Sequence, residues 1–319
     1  MINKEQFQEH TAIMDELKSA YTPITKIIGN NDFYYLDIPV HNNVGDLLIM
    51  YGTLAYFKKN KLKPLRMHSV HSFSEYNIND DQILVFHGGG NFGDLYPLHQ
   101  QHRMTIISKY INNKIIVLPQ TIYYESEEEY QACCLELRKH KDLHICVRDE
   151  KSYQLAQGMT NNVYLIPDMA HHLYTTELLQ TDLELQAKTS LFLNRVDIEA
   201  VTTKLKVDAD LTTDWSLFLS EHEKKVKLET RLQRLSDKVG LNKFTSKITT
   251  DRWLKLSEKL VREAVALYAP FEVIYTSRLH GCILSALMNK QTYVLDNSYG
   301  KNSAYLKIWL GKSPLIQRY

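Results

Sequence analysis

Short apolar runs rich in β-forming residues alternate with amphipathic helical segments along this chain of 319 residues. The alternation predicts parallel sheets with helices on both faces, because each parallel strand needs a crossover connection to reach the next. A first helix is predicted over 5–19, and further helices begin near Gly45, Tyr96, Glu125 and Asp149. The strands predicted between them are 33–38, 65–70, 83–86, 115–118, 144–147 and 163–166.

The second half repeats the pattern after a polar stretch, 175–188. Its predicted strands are 190–194, 207–211, 271–276 and 292–295, and its predicted helices are 215–239, a segment around 253–267, 279–289 and 302–310. The predicted fold class is therefore α/β, with two Rossmann-like domains, 1–178 and 179–319, facing each other across a cleft. Whether the last helix packs back on the first domain is left open.

Composition excludes several classes of protein. Lys and Arg total 38 and Asp and Glu total 37, so the net charge of +1 argues against a nucleic-acid partner. The charged N-terminal sequence does not resemble a signal peptide, and no run approaches the roughly 18 apolar residues that span a bilayer. We expect a cytoplasmic protein and leave peripheral contact with the inner face of a membrane open.

No metal site is expected. The four cysteines show no CxxC spacing, which predicts reduced core residues. Asp168 with His171 and His172 is the strongest candidate for a metal site. Adjacent histidines on a helix point in different directions, however, and rarely bind the same ion.

Two glycine-containing segments follow predicted strands of the first half. In the segment 41–46 (HNNVGD), Asn43 and Asp46 either cap a helix or contact an anion or a sugar hydroxyl. In the segment 87–94 (HGGGNFGD), Gly89, Gly90 and Asn91 either form a tight turn or bring the backbone close to a ligand. Neither a Walker A loop nor a GxGxxG fingerprint is present. Asp94, at the end of the second segment, could orient a hydroxyl or assist proton transfer.

Arginines follow three other predicted strands. Arg148 either points into the cleft, where its planar guanidinium suits carboxylate or phosphate, or forms a salt bridge, and Gln120 ends the neighbouring strand. Arg195 and Asp197 either face a ligand or form a surface pair. The segment 276–281 (TSRLHG) is the most informative, because it combines the cation Arg278, the titratable His280 and a predicted helix N-terminus.

The segments HNNVGD, HGGGNFGDLY, LPQT, VRDEKS and TSRLHG, in this order and spacing, together resemble the polysaccharide pyruvyl transferase family over roughly residues 33–295. The resemblance implies a two-domain architecture of the GT-B type. It implies transfer of a pyruvyl group from phosphoenolpyruvate to a sugar of a surface polysaccharide or its precursor, as a cyclic ketal. It further implies phosphoenolpyruvate as co-substrate, no other cofactor, and an acceptor that is nucleotide-, lipid- or polymer-linked.

The resemblance also implies roles for residues. Phosphoenolpyruvate would lie among Arg278, His280 and Arg148, beside Ser277, Leu279 and Gly281 of the same motif as His280. His280 would move protons, and Asp94 would orient or deprotonate the acceptor. The predicted acceptor-side or loop residues are Asn43, Asp46, Gly89, Gly90, Asn91 and Gln120.

Two other functions remain open from the sequence. One is a GT-B glycosyltransferase that uses a nucleotide sugar, since an arginine near a helix N-terminus also suits a diphosphate. The other is a non-catalytic sugar-binding subunit of a polysaccharide assembly complex.

Overall fold

The computed structural model describes residues 2–73, 78–181, 188–195, 207–239, 241–296 and 300–319. Within these residues, the first sheet has seven parallel strands. The strand order is β2-β1-β3-β5-β6-β7, and β4 pairs with the later part of β5. The strands are β1 (Phe33–Leu36), β2 (Arg66–His68), β3 (Ile83–Phe86), β4 (Gly89–Gly93), β5 (Ile115–Tyr123), β6 (Leu143–Val147) and β7 (Asn162–Leu165).

Helices cover both faces of this sheet. They are α1 (Lys4–Ser19), α2 (Thr22–Ile28), α3 (Val44–Lys59), α4 (Pro97–Lys109), α5 (Glu127–Leu137) and α6 (Glu150–Gln157), followed by short 3-10 helices at Met169–Leu173 and Glu177–Leu179. Asn43 caps α3 by accepting from the backbone N–H of Gly45 at 3.1 Å, and Asp149 caps α6 through the N–H of Ser152 at 2.8 Å.

In the described part of the chain, the second sheet has five parallel strands in the order β12-β11-β10-β8-β9. These strands are β8 (Lys188–Leu193), β9 (Leu211–Thr213), β10 (Phe271–Thr276), β11 (Gln291–Val294) and β12 (Ile316–Arg318). The accompanying helices are α7 (Trp215–Phe218), a 3-10 turn at Ser220–His222, α8 (Glu223–Lys238), α9 (Asn242–Tyr268), α10 (Leu279–Leu287), α11 (Lys301–Tyr305) and a π-helical turn at Leu306–Leu310. The mixed α/β class with two parallel sheets agrees with the sequence prediction.

The two sheets share a continuous apolar core in which α3 is central. Ten residues of α3 are buried, and α3 contacts α9, α10 and the 3-10 helix at Met169–Leu173. A Cβ on Gly52 would lie 2.1 Å from the carbonyl oxygen of Met169, so the closeness of α3 to that 3-10 helix requires glycine. The N-terminus of α3 is thereby held between the sheets.

Both chain ends contact the opposite half of the molecule. In α1, Nε2 of His10 lies 2.8 Å from the carbonyl oxygen of Ala286. Near the C-terminus, Nε1 of Trp309 donates to the carbonyl oxygen of Arg148 at 2.8 Å, and the hydroxyl of Tyr305 accepts from the N–H of Asp168 at 3.0 Å. The final helical segment therefore lies against the carboxyl end of the first sheet.

Three predicted elements were wrong in detail, and one strand was missed. The glycine-rich segment forms strand β4 rather than a loop, because β5 extends beyond the end of β3 and offers its backbone to a second partner. The predicted helix 215–239 is interrupted, because Leu219 and His222 turn inward and His222 bonds Glu263 at 2.7 Å. The strand predicted at 207–211 lies at Leu211–Thr213, and β12 had no predicted counterpart.

No helix among the described residues is long and apolar enough to cross a membrane.

Four buried histidines make the fold sensitive to acid. Burial lowers the pKa of His68, His87 and His171 to about 4 and that of His172 to about 3. Since the unfolded chain binds these protons near pH 6.5 and the native chain does not, stability falls as the pH drops below 6.5. We expect each histidine to cost roughly 2 kcal/mol between pH 7 and pH 5, so that thermal denaturation shows a steep loss of Tm over that range. A Tm that stays constant from pH 7 to pH 5 would contradict the assignment of neutral, buried imidazoles.

Candidate active site between the two sheets

A cavity of about 450 Å³ lies where the carboxyl ends of the two sheets face each other. Residues from both sheets and from the N-terminus of α3 form its wall. They are Asp37, Pro39, His41, Asn42, Asn43, Gly45, Asp46, His87, Gly90, Asn91, Tyr96, His99, Arg148, Arg195, Trp215, Arg278, Leu279 and His280. The strand ends of two α/β sheets are a common place for ligands.

The buried carboxylate of Asp168 joins the two halves of the site. Asp168 follows β7 and caps the 3-10 helix by accepting from the N–H of Ala170 at 2.9 Å. Its Oδ2 forms an ion pair with Nη1 of Arg148 and lies 3.2 Å from Nε2 of His280. Arg148 follows β6 of the first sheet and His280 begins α10 of the second, so this one carboxylate contacts a basic group from each.

Asp168 stays ionised. Burial works to raise the pKa of Asp168, but the nearby charges of His280 and Arg148 outweigh it and hold the pKa well below its usual range. The side chain is fully buried, and so is nearly all of Arg148, so the pair is weakly screened by solvent. A negative charge therefore persists beside His280 at all ordinary pH values.

Both arginines that were predicted to hold the donor are bound to aspartates. Arg148 pairs with Asp168 and also donates from Nε to Oγ1 of Thr121 at 2.9 Å. Arg278 bonds the buried Asp214 through two nitrogens, with Nη2 to Oδ2 at 2.6 Å. The salt bridge and the position in the cavity wall, which the sequence presented as alternatives for Arg148, occur together. Each aspartate fixes the plane of a guanidinium.

His280 packs against the N-terminus of α3. A Cβ on Gly45 would lie 2.5 Å from Nδ1 of His280 and 2.8 Å from its Cγ. Only glycine lets the imidazole approach this closely, because any larger residue would displace the ring. The two nitrogens of the ring therefore face Asp168 on one side and the first turn of α3 on the other.

A second ionic group lies on the wall formed by the first sheet. Asp37 has φ of +59° and a fully buried side chain, which accepts from His99 at 2.7 Å and from Asn91 at 3.2 Å. Burial opposes the charged form of each partner. The pairing nevertheless lowers the pKa of Asp37, with help from Arg103, and raises the pKa of His99.

Two uncharged groups line the same cavity with unused hydrogen-bonding atoms. Nδ1 of His87 bonds the hydroxyl of Tyr35 at 2.6 Å, and its buried Nε2 has no hydrogen-bond partner among the described residues. The buried Nε1 of Trp215 likewise lacks one, while its ring stacks on Tyr268 with centroids 5.4 Å apart. Buried polar atoms of this kind commonly bind a ligand or water.

Eight of the thirteen residues predicted for the donor, acceptor or catalytic site line the cavity. They are Asn43, Asp46, Gly90, Asn91, Arg148, Arg278, Leu279 and His280. Arg195 also lines it, whereas Asp197 lies outside the described residues. The cavity wall therefore combines strand-end residues of both sheets, which is the arrangement that their positions after strands predicted.

Asp94 does not line this cavity, and its predicted role in catalysis stays a prediction. Its Oδ2 accepts from the N–H groups of Glu125 and Ser126 at 2.7 and 2.8 Å, so it holds the chain just before α5. The carboxylates of Asp37, which follows β1, and Asp46, in the first turn of α3, line the cavity.

The other four predicted residues support the wall from outside. Gln120 is buried and donates to the carbonyl oxygen of His87 at 2.9 Å and to Oδ1 of Asn91 at 3.1 Å. Ser277 accepts from the N–H of Arg195 at 2.9 Å. A Cβ on Gly281 would lie 2.3 Å from Oγ1 of Thr276, and a Cβ on Gly89 would lie 3.5 Å from Oδ1 of Asp46.

Seven further residues of this site had no predicted role in it. Five line the cavity, namely Asp37, Gly45, His87, His99 and Trp215, and two, Asp168 and Asp214, pair with its arginines. The positions of three of these residues in the sequence could have indicated a role in the site. Asp37, Asp168 and Asp214 each lie within three residues after the end of a strand, at the carboxyl edge where ligands bind. Among the described residues, no group of three or more His, Cys, Asp or Glu could hold a metal ion, and the expectation of a metal-free site stays a prediction.

The fold and the site define an α/β protein of two parallel sheets with an arginine-containing, aspartate-supported cavity between them. The family model of polysaccharide pyruvyl transferase matches residues 43–299, and the chain belongs to this family. The chain is 35% identical over 307 residues to "Putative pyruvyl transferase EpsO" of Bacillus subtilis (strain 168), covering 94% of this chain and 92% of that protein. These matches confirm the resemblance seen in the sequence.

Two further similarities extend this finding. "Pyruvyl transferase 1" of Schizosaccharomyces pombe is 28% identical over 246 residues, covering 72% of this chain and 55% of that protein. A crystal structure of a protein from Klebsiella pneumoniae aligns with a TM-score of 0.61 and 21% identity over 95% of this chain and 98% of that one. The second similarity concerns the fold only.

Replacing Asp168 tests the ion pair. In Asp168→Asn, the buried guanidinium of Arg148 loses its negative partner, and we expect the free energy of unfolding to fall by about 3–5 kcal/mol in urea denaturation at pH 7. Because the pKa of Asp168 is lowered in the native state, the difference from wild type is complete above pH 4 and shrinks only below it. The exposed Asp208→Asn is the matched control. Equal stability of the two variants would show that the pair contributes nothing.

Replacing Gly45 tests the contact between α3 and His280. Alanine favours a helix, yet the Cβ of Gly45→Ala would overlap the His280 ring, so we expect a loss of about 1–3 kcal/mol in stability. In a His280→Ala background the closest contact relaxes from 2.5 to 3.1 Å. The cost of Gly45→Ala should then fall by at least about half, measured as a double-mutant cycle. An unchanged cost in that background would place the clash elsewhere.

Proposed function

We propose that the protein transfers a pyruvyl group from phosphoenolpyruvate to a sugar of a surface polysaccharide or its precursor, and that the group becomes a cyclic ketal. Beyond membership of the family, one observation carries the proposal. The cavity brings Arg148 from the first sheet together with Arg278 and His280 from the second, around a volume that suits a small anion and part of a sugar. We propose that the two sheets act as the two domains of a GT-B architecture.

The donor is small and carries a carboxylate and a phosphate. Guanidinium groups bind both in planar, two-point fashion. Arg148 uses Nε on Thr121 and Nη1 on Asp168, and its second terminal nitrogen takes part in neither contact. Arg278 opens α10, so an anion beside it also meets the N-terminus of that helix at Leu279. In this proposal Arg148 and Arg278 hold the two anionic ends of phosphoenolpyruvate.

The reaction needs proton movements that the site can support. C3 of the enol takes a proton and becomes a methyl group, and the positive character that develops at C2 draws attack by a sugar hydroxyl, which loses its proton. The bond from C2 to the phosphate oxygen then breaks and phosphate leaves. A second hydroxyl attacks C2 and loses its proton, which closes the ketal. One of the two hydroxyl protons replaces the proton taken up by C3, and the other leaves with phosphate or solvent.

We assign the proton transfers to His280. The ring is held between Gly45 and Asp168, and the Asp168 carboxylate at 3.2 Å offers a negative partner to a proton on Nε2. Asp168 in this scheme is a positioning residue, because it acts through His280 and Arg148.

The acceptor sugar, in this proposal, lies against the wall formed by the first sheet. Asn43 donates to Asp46 at 2.8 Å, which presents an amide and a carboxylate together at the start of α3. Asn91 and His87 add uncharged hydrogen-bonding groups to this wall, and Nε2 of His87 has no hydrogen-bond partner among the described residues. Burial lowers the pKa of His87 to about 4, so its imidazole stays neutral. Neutral groups and carboxylates suit hydroxyls better than they suit a second anion.

The reaction is placed in the cytoplasm by this proposal, as the compartment that supplies phosphoenolpyruvate. The acceptor is nucleotide-, lipid- or polymer-linked. No metal or further cofactor is part of the scheme, since the transferred group and the leaving phosphate both come from the donor.

The first test is a thermal-shift titration of the whole protein with phosphoenolpyruvate, uridine diphosphate and inorganic phosphate. A ligand at about 100 times its Kd adds roughly 2.7 kcal/mol of stability, so bound phosphoenolpyruvate should raise Tm well beyond phosphate. Arg278→Lys keeps the charge but loses the planar two-point geometry, and we expect it to lose most of the shift. The control is Arg262→Lys, on the exposed face of α9.

Each outcome decides between functions. A shift with uridine diphosphate and none with phosphoenolpyruvate would replace the proposal with a nucleotide-sugar glycosyltransferase. The absence of any shift would favour a non-catalytic sugar-binding subunit. Equal loss of the phosphoenolpyruvate shift in Arg278→Lys and Arg262→Lys would reject the assignment of Arg278.

A further inference from the structure

Exposed apolar side chains are concentrated in one helical hairpin. Fourteen large apolar residues are exposed among the described part of the chain, and seven of them lie within residues 217–248, a tenth of its length. This segment, here called the basic hairpin, comprises the end of α7, all of α8 and the start of α9. The seven residues are Leu217, Phe218, Leu228, Leu235, Val239, Leu241 and Ile248.

The same segment carries an excess of positive charge. Residues 217–248 contain eight Lys and Arg against four Asp and Glu, an excess of four, whereas the whole chain has a net charge of +1. The rest of the chain therefore has a small net negative charge. Arg231, Lys238 and Lys247 are exposed, and no ion pair joins them to other described residues.

Apolar and basic side chains share the outer face of α8. Leu228, Leu235 and Val239 are separated by seven and four residues, which places them on one face, and Arg231 and Lys238 follow at three-residue intervals. The inner face is buried through a different set of residues, namely Val226, Glu229 and Gln233, beside His222 of the preceding 3-10 turn. The outer face is thus not needed for the core.

The hairpin is fixed to the body of the protein. Gln233 accepts from Ser69 at 2.5 Å, Thr230 donates to the carbonyl oxygen of Val40 at 3.1 Å, and Glu229 pairs with Arg252 at 2.8 Å. These contacts set which side chains face outward. The exposure of the leucines is consequently a property of the folded state.

We propose that the basic hairpin docks on an anionic lipid surface. Lysine side chains interleaved with aliphatic residues are typical of helices that lie at a membrane interface, where the ammonium groups reach phosphates while the aliphatic groups enter the headgroup layer. The centres of protein–protein interfaces are instead depleted of lysine. With Lys224, Lys225, Lys227, Lys238 and Lys247 all exposed, charge complementarity favours the lipid.

The position of the hairpin relates this docking to the cavity. Trp215 lines the cavity and begins the helix whose end carries Leu217 and Phe218. Val40, which Thr230 contacts, lies between Pro39 and His41 of the cavity wall. Docking would therefore bring the cavity rim near the membrane surface, where a lipid-linked sugar would be presented. The docking itself does not depend on the pyruvyl-transfer proposal.

Flotation of the whole protein with lipid vesicles tests the docking. We expect binding to phosphatidylcholine vesicles that contain about a third phosphatidylglycerol, little binding to phosphatidylcholine alone, and loss of binding as salt is raised. Two variants should each lower the partition coefficient about tenfold or more: Leu235→Ser with Val239→Ser, and Lys238→Glu with Lys247→Glu. All four residues are exposed, so we expect Tm to be unchanged in both variants.

Matched controls lie on other surfaces. Leu135→Ser removes an aliphatic residue that is 68% exposed on α5, and Lys26→Glu reverses an exposed charge at the end of α2. Both should bind like wild type.

The proposal is overturned if wild type fails to bind the anionic vesicles at low salt, or if the controls lose as much binding as the hairpin variants. It is also overturned if light scattering shows a dimer that the leucine variant dissociates while vesicles stay unbound. The thermal shift with phosphoenolpyruvate should be unchanged in every hairpin variant, which keeps this test separate from that of the catalytic proposal.

Discussion

The carboxylate of Asp168 is the interaction on which the site depends. A buried charge is tolerated only where other charges and hydrogen bonds compensate it, and here the compensation comes from Arg148 after β6, from His280 at the start of α10 and from the N–H of Ala170. Without this carboxylate, an arginine and a histidine from opposite sheets would meet in a poorly solvated space. The carboxylate of Asp168 therefore joins the two halves of the site and keeps Arg148 and His280 close to each other.

Helix α3 makes the site and the core one structure. Its buried middle packs between the sheets, and its first turn meets the imidazole of His280 at Gly45. Because Gly52 fixes the same helix against the segment that follows Asp168, a shift of α3 would move both partners of the Asp168–His280 contact. The precision of the site thus comes from core packing, which resists small displacements more strongly than a surface loop does.

The sequence predicted what local pattern and strand ends determine. Apolar runs such as 83–86 became central strands at the predicted residues, and the arginine and histidine of the TSRLHG segment reached the cavity because they follow a strand. Differences between the sequence pattern and the structure have another cause. Asp94 lies four residues after Gly90, which lines the cavity, but β4 extends between them and places Asp94 beside the start of α5. The interruption before α8 likewise follows from the burial of Leu219 and His222, a long-range contact that helical periodicity does not contain.

The balance of charge in the cavity bears on the chemistry. Arg148, Arg195 and Arg278 are opposed by Asp37 and Asp46 in the wall and by Asp168 and Asp214 behind it, so the site is not strongly positive even though it is rich in arginine. In the proposed reaction, the anionic donor would make the site more negative when it binds, and by linkage this favours uptake of a proton. The aspartates that pair with the arginines therefore leave the proposed donor site in a cavity where anion binding and proton uptake are coupled. Addition of a proton to C3 is the step with which the proposed pyruvyl transfer begins.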